Sequence, residues 1–169
     1  MNLNKETLVF IVDDDENCLK ILSQVLMEKN DASIKVKIFT SGEDCLRVIG
    51  EKPDVVILDY YLNSKIEGGA TGRFFLNRIL NLRQDIKVIM LSSQKSVDKA
   101  IEVLRMGAYD YVYKNEGAYL KVNSLVHKIA SDKMKYHYSQ KITLYKNAPV
   151  FVLVIFVILF ILSRFISQG

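Results

Sequence analysis

Apolar residues along the chain recur in short runs separated by longer amphipathic stretches. Each run has the length of a β-strand, and three of them (LVFIV, VVIL and KVIML) are apolar almost throughout, as is typical of strands covered on both faces. The five predicted strands are Leu8–Val12, Ile34–Phe39, Val55–Leu58, Ile86–Leu91 and Tyr109–Tyr113.

A stretch with helical spacing follows each predicted strand. In the first of them, Leu19, Leu22, Val25 and Leu26 repeat at the spacing of one helix face. The five predicted helices cover residues 17–28, 42–49, 72–82, 96–106 and 116 to about 135. Because strand and helix alternate five times, the pattern predicts an α/β domain with a parallel sheet and helices on both faces.

The last part of the chain has a different pattern. Every residue from Pro149 to Leu162 is apolar, and the wider segment 148–166 has 19 residues, about the length that crosses a bilayer. We therefore expect a transmembrane helix at 148–166, preceded by a basic juxtamembrane linker at 135–147 and a domain at 1–134. Lysines before the apolar segment favour a cytoplasmic location for that domain. The alternative is a buried C-terminal helix, which needs a core around it.

Composition and charge limit the function classes. Half of the 169 residues are hydrophobic and 25% are charged, which excludes a disordered or collagen-like chain and a disulfide scaffold. Cys18 and Cys45 lie in helical stretches and are predicted to be small buried side chains. Residues 119–169 contain seven basic and one acidic residue, and for these lysines beside an apolar segment we expect lipid headgroups rather than nucleic acid as the partner.

Polar residues gather where the predicted strands end. Asp13, Asp14 and Asp15 follow the first strand, Asp59 the third, Ser92 and Ser93 the fourth, and Lys114 the fifth. In an open parallel sheet these ends meet at one edge, so the side chains are expected to lie together. Several carboxylates at one place repel each other unless a cation neutralises them, and hard oxygen ligands suit Mg²⁺. Only two of three successive aspartates can face the edge, so we expect Asp15 at the surface or at a helix N-cap.

Four motifs in order, FIVDDDEN, DVVILDYYL, VIMLSSQ and GAYDYVYK, carry a resemblance to a known family. Over residues of about 5–134 the chain resembles the receiver domain of bacterial two-component response regulators. The resemblance implies a flavodoxin-like, doubly wound sheet of five parallel strands in the order 2-1-3-4-5.

The resemblance also implies a role for each of the matching site residues. Asp59 becomes the phosphoacceptor, and Ser92 and Lys114 contact the phosphoryl group. The implied Mg²⁺ ligands are Asp13, Asp14, Asp59 and the backbone carbonyl of Tyr61. Tyr111 and Ser92 are the implied switch residues.

Three sequence features bear on how such a site would behave. Tyr61 and Gln94 hold the two variable positions that shape water access in such domains, and their size predicts slow loss of the phosphoryl group. The loop LNSKIEGGATG is longer than in the family and is predicted to be mobile. Asn115 replaces the usual proline after the lysine, which leaves the geometry of the last loop open.

The implied function is that of a stand-alone receiver, because too few residues follow for a DNA-binding domain. It would accept phosphate from a histidine kinase or phosphotransfer protein and signal by protein contact to an unidentified partner. It would catalyse only its own phosphorylation and dephosphorylation. Its expected location is the bacterial inner (cytoplasmic) membrane, as a single-pass protein with the receiver in the cytoplasm; a homodimer is left open.

Three alternative functions share part of this pattern. A degenerate receiver could act as a phosphorylation-independent membrane-tethered scaffold, which the altered loops at Asn63 and Asn115 suggest although every reacting residue is present. A phosphatase of the haloacid dehalogenase type needs a second Asp where this chain has Tyr61. A flavodoxin-like FMN binder needs a phosphate-cradling loop where this chain has three aspartates.

Overall fold

The described strands form one sheet of five parallel strands. The structure, a computed structural model, describes residues 6–27, 33–62 and 70–166. The strands run in the order β2-β1-β3-β4-β5, which confirms the predicted sheet. Their bounds are β1 (Thr7–Val12), β2 (Ile34–Phe39), β3 (Val55–Asp59), β4 (Lys87–Ser92) and β5 (Asp110–Tyr113).

In the described parts of the chain, five α-helices connect or follow the strands. They are α1 (Glu16–Met27), α2 (Gly42–Arg47), α3 (Gly72–Leu82), α4 (Val97–Arg105) and α5 (Ala118–Ile166), with a short 3-10 helix at Ile49–Glu51. Two serines begin helices by capping them: the backbone N–H of Asp44 donates to Ser41 Oγ, and that of Lys99 donates to Ser96 Oγ. Asp15 caps α1 by accepting from the backbone N–H of Asn17 at 2.9 Å.

Alternate residues of the inner strands pack on opposite faces of the sheet. Val9 and Ile11 of β1 belong to a cluster with α1 and α5, whereas Phe10 and Val12 belong to a cluster with α2, α3 and α4. All four side chains are buried. The nearly continuous apolar runs in the sequence therefore reflect a sheet that is covered on both sides.

The C-terminal part of the chain departs from the prediction. Residues 135–147, predicted as a linker or a helical extension, are helical and belong to α5. No helix formed by the described residues is both long and apolar enough to cross a membrane, which overturns the transmembrane helix predicted at 148–166. Its unbroken apolar run has 14 residues and, at 1.5 Å per residue, rises about 21 Å, less than the roughly 30 Å of a hydrocarbon core.

The chain divides into two compact units, Met1–Ala130 and Ser131–Gly169. The strands, the polar strand ends and the first four helices all belong to the first unit. The predicted mobile loop at 62–72 falls largely on residues 63–69, which lie outside the described residues.

Both cysteines are free and buried, one on each face of the sheet. Burial, with a smaller contribution from Asp13, raises the pKa of Cys18 to about 12, and burial alone raises that of Cys45 to about 12. Since the thiolate is the reactive form, we expect neither thiol to react with a thiol-specific reagent at pH 8 until denaturant is added. Thiol titration with and without denaturant measures this, and rapid labelling of the native protein would contradict it.

Candidate functional site

The strand register brings the polar strand ends to one edge of the sheet. Val12 of β1 pairs with Leu58 of β3, so Asp13 and Asp59 leave neighbouring strands at the same level. Ser92, the last residue of β4, pairs with Tyr113 of β5, directly before Lys114. The backbone N–H of Lys114 donates to the carbonyl oxygen of Ser92 at 2.7 Å and extends the ladder by one residue.

Three aspartates form an acidic cluster at this edge. Asp13, Asp14 and Asp59 each place one carboxylate oxygen within 4.8 Å of the others. Asp13 is 1% exposed and Asp59 is 4% exposed, whereas Asp14 is half-buried. Asp15 is exposed and caps α1, so the third aspartate of the run lies outside the cluster. The structure thus brings together the carboxylates that were predicted to meet at this edge of the sheet.

Lys114 joins the two buried carboxylates of this cluster. Its Nζ lies 2.7 Å from Asp13 Oδ2 and 2.7 Å from Asp59 Oδ1. The lysine side chain is 22% exposed, so these contacts are largely shielded from solvent. The ammonium group thus pairs with two of the three carboxylates of the cluster, and Asp14 completes a site with more acidic than basic side chains.

Burial and neighbouring charges change the protonation behaviour of this pair. Burial is the largest influence on Asp59 and raises its pKa above the ordinary aspartate value; Lys114 and the backbone N–H of Tyr61 act in the opposite direction without cancelling it. Burial also lowers the pKa of Lys114, but its hydrogen bonds and charge contacts with Asp13 and Asp59 outweigh burial and raise it. Lys114 therefore stays charged, and burial makes the ionised form of Asp59 less favourable than in a free aspartate.

The cluster has the donors that a hard divalent cation needs. Its carboxylate oxygens come from Asp13, Asp14 and Asp59. Asp14 is half-buried, so the cluster is partly accessible to solvent. Mg²⁺ binds through few carboxylates and keeps several waters, so a partly open oxygen site suits it. The excess negative charge and the raised pKa of Asp59 agree with a site completed by a cation.

Ser92 and Tyr111 contact the same loop residue. The backbone N–H of Gln94 donates to Ser92 Oγ at 3.2 Å, and the Ser92 hydroxyl lies 3.3 Å from the carbonyl oxygen of Gln94. Tyr111 Oη donates to that carbonyl oxygen at 2.7 Å. Ser92 is fully buried and Tyr111 is half-buried. The two predicted switch residues are therefore linked through one backbone group.

Lys99, which the sequence did not indicate, contacts the predicted tuning residues Tyr61 and Gln94 at the rim of the site. Lys99 of α4 donates hydrogen bonds to Tyr61 Oη and, at 2.7 Å, to Gln94 Oε1. Its ammonium lies 5.3 Å from the centroid of the Tyr60 ring, which contacts the Tyr111 ring edge to face. The available signal was weak: a lysine in the first turn of a helix opposes the helix dipole and so needs another partner.

Gly72 begins α3 in direct contact with the end of β3. Its backbone N–H donates to the carbonyl oxygen of Tyr60 at 3.2 Å. A Cβ atom at this position would lie 1.9 Å from the carbonyl oxygen of Asp59. Only glycine allows the helix to start this close to the acidic cluster.

Comparison with known proteins places the fold and site in a family. The model of the response regulator receiver domain matches residues 9–126. A putative NtrX-like response regulator of Rickettsia bellii is 30% identical over 108 residues, 63% of this chain and 21% of that protein. A protein-glutamate methylesterase/protein-glutamine glutaminase of Oceanobacillus iheyensis is 34% identical over 118 residues, 68% of this chain and 31% of that protein. This chain thus matches about a fifth to a third of the length of these relatives. The prediction of a stand-alone receiver is therefore not supported by them.

Solved structures agree with the family match. The BeF3-activated receiver domain of DrrB is 28% identical, with a TM-score of 0.64 over 75% of this chain and 98% of that one. The response regulator DrrB of Thermotoga maritima is 27% identical, with a TM-score of 0.64 over 76% of this chain and 54% of that one. Since the family model covers most of the sequence and the fold agrees with these receivers, the chain belongs to the response regulator receiver domain family.

Proposed function

We propose that this chain is a phosphoryl-accepting receiver of a two-component phosphorelay, in which Asp59 takes a phosphoryl group from a phosphohistidine of a histidine kinase or phosphotransfer protein. The observation that carries the proposal is the buried Asp59 carboxylate, held by Lys114 beside Asp13 and Asp14. Family membership makes two-component signalling the context.

The proposed reaction is a transfer between two protein side chains. A carboxylate oxygen of Asp59 bonds to phosphorus while the phosphorus–nitrogen bond of the donor histidine breaks, and the departing imidazole nitrogen takes a proton from solvent. Lys114 carries positive charge beside this carboxylate and can pair with the arriving phosphoryl oxygens. The chain itself is the acceptor, so we propose no activity beyond its own phosphorylation and dephosphorylation.

Mg²⁺ is the proposed cofactor, with Asp13, Asp14 and Asp59 as side-chain ligands and the Tyr61 carbonyl as a backbone ligand. When bound, it would neutralise the acidic cluster and offset the charge of the phosphoryl group. Three carboxylates lie together and Lys114 pairs with two of them, which leaves negative charge for a cation to neutralise and supports this assignment.

The proposed switch uses Ser92 and Tyr111. A phosphoryl group adds about −1.5 to −2 charges at Asp59 and attracts hydroxyl donors. Ser92 can turn to it only by leaving the Gln94 backbone, to which Tyr111 also bonds. The signal would then reach α4 and β5, where Val97, Ile101 and Tyr113 are exposed and suit contact with a protein partner.

The experiment uses the full chain with acetyl phosphate, with Mg²⁺ or with excess EDTA. We expect a hydroxylamine-labile phosphoryl adduct with Mg²⁺ only, because an acyl phosphate reacts with hydroxylamine. Peptide mapping should locate the adduct in the segment DVVILDYYL, which contains Asp59. An adduct elsewhere would contradict the assignment of Asp59. If the chain forms no adduct and does not bind Mg²⁺, the result would favour the phosphorylation-independent scaffold.

A further inference from the structure

Lys99, Tyr61 and Gln94 form a bridge between the two strand ends beside the phosphoacceptor. Tyr61 Oη donates to Gln94 Oε1, and Lys99 Nζ donates to both Tyr61 Oη and Gln94 Oε1. The lysine ammonium also lies 4.8 Å from the centroid of the Tyr61 ring, within the range of a cation–π contact. The three side chains thus form a closed triangle of hydrogen bonds.

The backbone places this bridge over the reacting groups. Tyr61 stands two residues after Asp59, and its backbone N–H donates to the Asp59 carboxylate. Gln94 stands two residues after Ser92, and its backbone N–H donates to Ser92 Oγ at 3.2 Å. Tyr61 and Gln94 therefore each contact a reacting group through the backbone. Their side chains are hydrogen-bonded to each other.

Lys99 contributes a charged hydrogen-bond donor, which neither Tyr61 nor Gln94 has. Gln94 is exposed and Tyr61 is half-exposed, so their mutual hydrogen bond competes with water. Lys99 adds a charged donor to each of them from a helix whose start is fixed by the Ser96 cap. It thereby connects this partly exposed pair to the first turn of a capped helix.

We propose that Lys99 is a positioning residue that holds the Tyr61–Gln94 bridge across the phosphoacceptor and so slows hydrolysis of its phosphoryl group. The inference rests on the proposed phosphorylation of Asp59. In the hydrolysis, a water oxygen bonds to phosphorus as the bond from phosphorus to the Asp59 oxygen breaks. The products are the Asp59 carboxylate and inorganic phosphate, which carries both water protons. A bridge held in place restricts the approach of that water.

The test compares the decay of the adduct in Lys99→Met, Lys99→Arg and Lys87→Met after the phosphodonor is removed. Methionine keeps the length of the side chain without charge or donors, and arginine keeps both. Lys87 is an exposed lysine at the opposite end of β4 and serves as the matched control. We expect Lys99→Met to lose the adduct roughly threefold to tenfold faster, with Lys99→Arg and Lys87→Met close to the unsubstituted chain. Thermal melts of each variant check that the fold is retained.

A double variant separates positioning from a general charge effect. If Lys99 acts through the bridge, Lys99→Met should change the decay rate much less when Tyr61→Phe has already removed the hydroxyl. Unchanged decay in Lys99→Met, or an equal acceleration in both backgrounds, would overturn the inference while leaving the proposed function intact. Absence of any adduct in the unsubstituted chain would overturn both.

Discussion

Asp59→Asn is expected to abolish the phosphoryl adduct and, without Mg²⁺, to make the folded protein more stable at neutral pH. The amide lacks the nucleophilic oxygen, so no acyl phosphate can form. It also removes a buried carboxylate whose ionisation the site disfavours, since burial raises the pKa of Asp59. The amide removes that cost of ionisation and leaves Lys114 paired with Asp13. Mass spectrometry of the adduct and thermal melts with EDTA measure the two effects.

The pH dependence gives the sign of this stability effect. Because the pKa of Asp59 is raised in the folded state, the group favours folding at low pH and this contribution is lost as pH rises through the folded pKa. The unsubstituted chain and Asp59→Asn should therefore be equally stable below about pH 4, the ordinary aspartate value. Above it, the variant should become the more stable protein. Mg²⁺ should narrow the difference by stabilising the unsubstituted chain more.

Asp85→Asn is a control in which the change in stability at neutral pH is expected to have the opposite sign. Asp85 is exposed, and its hydrogen bonds with Arg83 lower the pKa of its carboxyl group. Its small contribution to stability is present above the ordinary aspartate pKa and is lost as pH falls. The variant should therefore melt at or slightly below the temperature of the unsubstituted chain at neutral pH. A lower melting temperature for Asp59→Asn than for the unsubstituted chain, at neutral pH without Mg²⁺, would contradict the raised pKa.

The sequence predicted the sheet and the location of the acidic cluster for one physical reason. Strands such as β3 are covered on both faces, so the end of an apolar run marks the end of a strand. Asp13, Asp59 and Lys114 stand directly at such ends, and parallel strands place their carboxyl ends at one edge. Topology alone therefore brings these residues together, without knowledge of any side-chain conformation.

Contacts between separate elements could not be predicted in this way. Lys99 reaches Tyr61 and Gln94 only because α4 starts at a particular distance from the strand ends, which depends on the loop before it. Asn115, which replaces the family's usual proline, accepts a hydrogen bond from the backbone N–H of Gly117 and leads into α5. The prediction of a transmembrane helix was wrong, because no helix of the described residues is both long and apolar enough to cross a membrane.

Gly72→Ala is expected to destabilise the fold by about 1–3 kcal/mol and to slow adduct formation roughly tenfold to a hundredfold. The new Cβ would lie 1.9 Å from the carbonyl oxygen of Asp59 and 2.9 Å from the Cα of Tyr60. Both are backbone atoms and cannot rotate away, so the start of α3 or the end of β3 must move. Movement of β3 displaces the phosphoacceptor itself. Denaturant unfolding and the rate of phosphorylation by acetyl phosphate measure the two effects.

Helix propensity alone predicts that Gly72→Ala increases the stability of the fold, so the measured direction of the change distinguishes the two effects. Alanine is favoured over glycine in a helix by up to about 1 kcal/mol, so without the close approach Gly72→Ala would stabilise α3. Gly50→Ala is the matched control, because a Cβ at Gly50 has nothing within 4 Å. That variant should stay within about 0.5 kcal/mol of the unsubstituted chain. Equal stabilities for the two variants would mean that the contact between Gly72 and the Asp59 backbone does not constrain the site.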